Sequence, residues 1–167
     1  MAGAPLSHDQ LVELIYDSVE VPGGWNGVLE QFLGYFGGDK ANMFVLGEAG
    51  GVVENYAGGF DPDGHLPYHD QYQHLDPRFE IVQRAPGQIF SDVEVIDQAQ
   101  YLKSTIYNEW LGPGDIRYSL FLMLPVGKDL SAAQAIMRPH SADPFGADEK
   151  RRMARLLPHL QRALRLR

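Results

Sequence analysis

NMFVLGEAGGVVENYA, residues 42 to 57, decides the fold class. Two runs rich in β-branched and aromatic residues, Ala41 to Leu46 and Val52 to Ala57, flank a turn containing Gly47, Gly50 and Gly51. Runs this short, separated by a glycine-bearing turn, read as an antiparallel hairpin. Ile116 to Leu124 and Leu130 to Arg138 repeat the pattern around the turn PVGKD, and a short fifth strand is expected near Ile89.

Helical stretches surround these strands. In LSHDQL, residues 6 to 11, Ser7 can cap with Gln10 three residues on, and Leu6 and Leu11 stand where a hydrophobic staple places them. The inward face of that helix is then Leu11, Val12, Ile15 and Val19. After Pro22 to Gly24, the residues Trp25, Val28, Leu29, Phe32, Leu33 and Phe36 recur at helical spacing until Gly37 and Gly38 end the run. Between the hairpins, one helix is expected from Pro67 to about Leu75, with Tyr68, Tyr72 and Leu75 on one side, ended by Asp76-Pro77. A short segment covers Phe79 to Arg84. Another helix is expected from about Ala99 to Trp110, opened by the capping pair Asp97 and Gln100 and broken by Gly112 to Gly114.

This order of elements predicts an α+β single domain: one antiparallel sheet of about five strands, flanking helices and a long C-terminal connector helix. The boundaries are 1–146 for the body and 147–167 for a terminal basic amphipathic connector. There are too few alternations of strand and helix for a doubly wound fold, and no glycine-rich strand-to-helix turn that could cradle a phosphate.

Charge divides the chain in the same place. Met1 to Glu149 carries seven bases against 22 acids, a formal charge of −15, whereas Lys150 to Arg167 holds seven bases and no acid. Such a body repels a polyphosphate backbone, so no direct nucleic-acid binding by this chain is expected. The absence of Cys excludes disulfides, thiolate nucleophiles and sulfur metal sites. No long apolar run is present, so a membrane partner is not expected and a cytoplasmic location is.

The last helix carries Asp148 and Glu149 in its first turn and bases after them, as the helix dipole favours. Met153, Leu157, Leu160 and Leu164 form an apolar seam that can pack on the sheet, on a partner's copy of itself, or on both. It is the candidate dimer or connector seam. Pro158 is expected to kink the helix or to start a new one near His159.

Catalytic chemistry finds no foothold. No serine stands in a G-x-S-x-G setting, and carboxylate pairs such as Asp61/Asp63 and Asp92/Glu94 are what an acidic composition produces by chance. His65 and His69, with Asp61 or Asp63, supply the arithmetic of a three-ligand metal site, but Pro67 takes His65 out of a regular helix. Ordinary surface histidines are the better reading, and a small metal-dependent enzyme is the least favoured one. No catalytic residue, metal or cofactor is expected.

Aromatics are dense instead. Phe44, Tyr56, Phe60, Tyr68, Tyr72, Phe79, Phe90, Tyr101, Tyr107, Trp110 and Phe121 fall on the strands and the crossover segments. Tyrosines grouped together suit a mixed apolar and polar pocket, because a buried phenol needs a partner. The candidate ligand pocket is Phe44, Tyr56, Tyr68, Tyr72, Phe90, Tyr101, Tyr107, Trp110 and Arg117.

Four segments carry a family resemblance: LIYDSV at Leu14 to Val19 with Trp25 after it, YHDQYQHLDPR at Tyr68 to Arg78, STIYNEWLGPGDI at Ser104 to Ile116, and RPHSADPFGADEKRRMARLLPHLQRALRLR from Arg138 onward. The chain resembles the N-terminal sensor-like region of bacterial LuxR-type helix-turn-helix transcriptional regulators, a region related in shape to GAF and PAS domains. That resemblance implies a small-molecule sensing and dimerisation domain. In the family the segment matching Pro158 to Leu164 leads toward a C-terminal DNA-binding module, which this sequence does not contain. The resemblance therefore implies a homodimer with an unknown small-molecule ligand, reaching DNA through that separate module. A ligand-free dimerisation scaffold and a stand-alone regulatory protein are the alternatives. Asp115 and Arg117 around Ile116 depart from the more hydrophobic family pattern and make the pocket edge more polar. The pocket residues of the acyl-homoserine-lactone-binding members do not map onto this sequence, so that ligand class is not implied.

Overall fold

Two hairpins meet strand to strand. In the computed structural model, which describes residues 3–60 and 68–167, β1 (Lys40–Leu46) pairs with β2 (Val52–Gly58), and β4 (Tyr118–Gly127) with β5 (Leu130–Arg138). β1 lies antiparallel to β5, and the short β3 (Phe90–Ser91) pairs with β4, giving a five-stranded antiparallel sheet in the order β2-β1-β5-β4-β3. The α+β class, the strand number and the helix-flanked sheet are those the sequence predicts.

Because successive side chains on a strand point to opposite faces, the sheet separates two cores. Met43, Val45, Leu120, Leu122, Leu124, Ala132 and Ile136 join α1 (His8–Asp17), α2 (Gly24–Phe36) and α6 (Ala147–Leu166) in the first. Phe44, Leu46, Phe121, Met123, Ala133, Ala135 and Met137 belong to the second, with residues from α3 (Pro77–Arg84), α5 (Gln98–Tyr101) and the turns around them. A four-residue α4 (Asp92–Val95) follows β3 directly.

The helix-side layer forms as its sequence dictates. Ser7 and Gln10 cap α1 reciprocally, the Ser7 N–H donating to Gln10 Oε1 at 2.9 Å and the Gln10 N–H to Ser7 Oγ at 3.2 Å. Leu11 and Ile15 are buried, with Val12 and Val19 packed at the margin of the same core. α2 stops at Gly37, whose φ of 72° is left-handed and whose missing Cβ leaves room for the Arg138 guanidinium.

The long terminal helix does not leave the body. Met153, Leu156, Leu160, Ala163 and Leu164 are all buried in the first core, and Leu157 packs at its edge. The seam thus packs on this chain's own sheet, one of the placements that the sequence leaves open. The helix also runs on through Pro158 to Leu166 rather than restarting near His159. Pro158 sits on the exposed side, where the carbonyl freed by its missing N–H can be solvated. Arg138 ties the start of α6 in place. Its Nε donates to Gly37 O at 2.9 Å, its Nη1 to Asp143 O and Pro144 O at 3.2 Å, and its Nη2 to Phe36 O at 2.7 Å and Glu149 Oε1 at 2.8 Å. All five guanidinium donors are used, with the Phe145 ring 4.0 Å below.

The crossover segments differ most from expectation. Pro67 lies outside the described residues; Tyr68–Tyr72 is a wide π-type turn and Gln73–Leu75 a tight one. Asp76-Pro77 ends these turns and also begins α3, with Asp76 Oδ1 accepting from the Arg78 N–H at 2.9 Å and Pro77 at the first helical position. The helix expected from Ala99 to Trp110 is split. Asp97 caps α5, which ends at Tyr101, and Ser104 then opens a second short helix, its Oγ donating to Tyr101 O at 2.6 Å and accepting from the Tyr107 N–H at 3.3 Å. A second wide turn, Tyr107–Leu111, follows. Among the described residues no helix is long and apolar enough to cross a membrane.

Candidate ligand site on the aromatic face of the sheet

Strand β5 carries alanine where its neighbours carry phenylalanine. Ala133 stands opposite Phe44 of β1, and Ala135 opposite Phe121 of β4. Two small side chains in the central strand, flanked by two rings, leave a trough along the middle of the sheet. Tyr68, Phe79 and Val82 roof it, Asn42 stands at the β1 side, and Asp76 and Arg78 supply its charged wall. The trough is shallow, with a volume of about 30 Å³, room for one or two water molecules.

The charged wall is built into the chain turn at Asp76. Arg78 Nε donates to Asp76 Oδ1 at 3.0 Å and Nη2 to Oδ2 at 2.8 Å, while Nη1 donates to Ser119 Oγ at 2.8 Å. The Tyr68 hydroxyl donates to Asp76 Oδ2 at 2.6 Å. Asp76, Arg78, Ser119 and Tyr68 are all buried, so this is a bidentate ion pair with its satellites inside the second core. Burial works against the Arg78 charge, but the Asp76 carboxylate outweighs it and holds the guanidinium pKa well above its ordinary value. Burial and the adjacent Asp76 push the Tyr68 phenol well up, so it stays a neutral donor.

Asp92 extends the network. It is fully buried at the start of α4; burial raises its pKa to about 6, against the backbone N–H groups of Ser119 and Val93 and the charge of Arg78. Its Oδ2 has no partner among the described residues. Tyr101 lies close to the same charges, and its pKa is raised chiefly by burial.

Of the nine residues picked from the sequence, Phe44 and Tyr68 line the cavity. Tyr72, Phe90, Tyr101, Tyr107 and Trp110 belong to the same core and pack around it: Tyr72 stacks on Trp110 at 5.6 Å, Phe90 lies 5.7 Å from Phe121, and Tyr101 lies 5.7 Å from Tyr107. Tyr107 turns its hydroxyl outward to His140 Nε2, whose Nδ1 is 2.6 Å from Asp115 Oδ1. Arg117 binds Gln98 Oε1 at 2.8 Å and lies over the Tyr118 ring, at the rim rather than in the cavity. Tyr56 is a correction. Its register partner is Met43, so it faces the helix layer, where its hydroxyl donates to Glu54 Oε2 at 2.9 Å. The alternation was readable in the sequence: Tyr56 is an even step from Glu54 and an odd step from Asn55, which faces with Phe44.

Sequence reasoning passed over Ala133, Ala135, Asp76 and Arg78. SAAQA in a strand otherwise rich in large residues was the available signal for a trough, and Asp76-Pro77-Arg78 for a cap whose arginine folds back on its own carboxylate. His65, Asp61 and Asp63 lie outside the described residues, and His69 binds Gln73 Oε1 at 2.9 Å. Among the described residues no three His, Asp or Glu side chains gather as a metal would need.

Solved structures of three proteins share this architecture. The LBD domain of VqsR from Pseudomonas aeruginosa superposes with a TM-score of 0.69 at 14% identity, over 95% of this chain and 93% of that one. The N-acylhomoserine lactone dependent LuxR family transcription factor CepR2 from Burkholderia cenocepacia gives 0.65 at 12% identity, over 93% and 92%. The phycocyanobilin-bound GAF domain of a cyanobacterial phytochrome gives 0.65 at 11% identity, over 96% and 94%. No family model and no curated protein matches the chain. Identities this low speak for architecture alone: the chain has a GAF/PAS-like fold, in common with LuxR-family and phytochrome domains.

Proposed function

We propose that this chain is the small-molecule sensing and dimerisation domain of a transcriptional regulator, whose DNA is read by a separate C-terminal module. The observation that carries the reading is the trough over Ala133 and Ala135, walled by Phe44 and Phe121 and ended by the buried Asp76–Arg78 pair. Aromatic walls with a few fixed polar groups are what a small-molecule pocket consists of. The route outward is one strand thick: Ala135 faces the trough, and its neighbour Ile136 faces the core that holds α6. A ligand that parts the roof from the sheet shifts β4 and β5, and α6 rests on the other side of them. The domain performs no catalysis in this reading.

The small volume of the trough supports a second reading, a ligand-free scaffold with a side-chain-filled core. Native mass spectrometry of the purified chain separates the two. Sensing predicts a co-purifying or added metabolite of a few hundred daltons, bound noncovalently and raising the melting temperature, and lost in Ala135→Leu. A chain that comes through bare, and whose melting no member of a broad metabolite set raises, makes the scaffold the correct reading.

A further inference from the structure

Two ridges of opposite charge stand side by side on the helix-covered side, and among the described residues most of their charges make no ion pair. On α1, Asp9, Glu13 and Asp17 recur every four residues, all exposed, and Glu20 continues the line just beyond. On α6, Arg151, Arg155, Arg162 and Arg165 are exposed on the side away from the buried Met153, Leu156, Leu160 and Ala163. The two helices touch at His159: its Nδ1 is 3.0 Å from the Tyr16 hydroxyl, and its ring lies 6.2 Å from that of His8. Among the described residues, Asp9, Glu13, Asp17 and Glu20 make no ion pair, nor do Arg155, Arg162 and Arg165; Arg151 pairs only with Asp148 on its own helix.

We propose that the α1/α6 surface is where two copies of this chain meet, the arginine ridge of each lying on the acidic ridge of the other about a twofold axis. A twofold interface brings the same patch together from both copies, so it must be complementary to itself, and adjacent ridges of opposite sign meet that requirement. The same adjacency decides against a nucleic acid or an anionic bilayer, since phosphates drawn to Arg155 and Arg162 come up against the carboxylates of α1. Ala154 and Pro158, both exposed between the arginines, are small enough to let a partner helix approach, and the arginine stems supply apolar cover. The leucine seam takes no part, being spent on the chain's own core.

This inference rests on the dimer in the functional reading and adds its location. Sedimentation equilibrium tests it on the wild-type chain and two charge-reversed variants, Arg155→Glu/Arg162→Glu and Glu13→Arg/Asp17→Arg, with circular dichroism confirming that each is folded. The expected results are a wild-type dimer at about 50 mM salt whose dissociation constant rises about tenfold or more by about 500 mM, two monomeric variants, and a dimer mass restored when the variants are mixed in equal amounts. Variants that each remain dimers, or a mixture that stays monomeric, overturn the proposed surface while leaving the dimer itself standing. A monomeric wild type at low salt overturns both.

Discussion

Ala133 of β5 lies directly across the ladder from Phe44 of β1, a pairing of the smallest and one of the largest apolar side chains at the centre of the sheet. Together with Ala135 opposite Phe121, it leaves the depth of the trough between the sheet and its aromatic roof.

Filling that depth has a defined cost. Ala135→Leu adds three carbons to a cavity of about 30 Å³, more than it can take, and overpacking of this kind destabilises by about 1–3 kcal/mol. Urea unfolding monitored by Trp fluorescence measures it. Ala132→Leu, on the opposite face against Val45 and Leu124, is expected to cost at least as much, because that core is closed by helices.

Arg78 and Asp76 stand or fall together. Arg78→Met leaves a buried carboxylate with no opposite charge, held only by the Tyr68 hydroxyl and the backbone N–H of residue 78, and loss of one partner of a buried pair costs about 3–5 kcal/mol. The double variant Asp76→Asn/Arg78→Met removes the uncompensated charge and is expected to be less destabilised than the two single changes summed. Denaturation of all four species in a double-mutant cycle gives the coupling.

Asp92 confers a pH dependence of definite sign. Its folded pKa of about 6 lies above its ordinary 3.8, so between those values the folded chain holds a proton that the unfolded chain has released. The contribution is present in full below pH 3.8 and is lost as pH rises through about 6, an effect of up to about 3 kcal/mol. Carboxylates held low in the folded state, such as Glu149 beside Arg138, contribute the opposite slope and cancel in a comparison of variants. Asp92→Asn is therefore expected to stand better against wild type at pH 7.5 than at pH 4, measured by urea midpoints.

The leucines of α6 are predicted to matter for folding rather than for assembly. Leu160→Asp places a charge in a fully packed core and is expected to cost more than about 3 kcal/mol, with the far-ultraviolet circular dichroism signal lost near room temperature. A folded Leu160→Asp chain whose only defect is a halved mass would show the seam to be an interface after all.

What the sequence made legible follows from what periodicity can and cannot carry. Both hairpins, the capped α1 and the glycine-stopped α2 rest on local patterns that tertiary contacts reinforced. The helix expected from Ala99 to Trp110 is broken because Ser104 competes for the backbone of Tyr101 and Tyr107, a local bond that separates α5 from the turn that follows. An apolar seam looks the same whether it meets its own sheet or a partner, so the destination of Met153, Leu160 and Leu164 was settled only by packing. Most of the aromatics picked from the sequence pack in one core, and Phe44 and Tyr68 line the trough, but the trough itself has no aromatic signature because it is defined by what is missing. Alanines in β5 and an arginine folded onto its own cap leave no hydrophobic signature.

The central claim, that a small molecule enters the trough on the aromatic face, is tested most directly by methyl NMR of the chain labelled at alanine. Ala133 and Ala135 report on the trough, while Ala132 and Ala163, buried in the helix-side core, serve as internal controls. In a titration with a panel of small aromatic and acyl-chain carbonyl compounds, at least one chemical class is expected to shift the Ala133 and Ala135 methyls saturably and by more than the controls, which sense only the displacement passed on through β5 to α6. If no compound moves those two methyls at millimolar concentration, or if all four move alike, the trough is not a binding site and the domain is a scaffold.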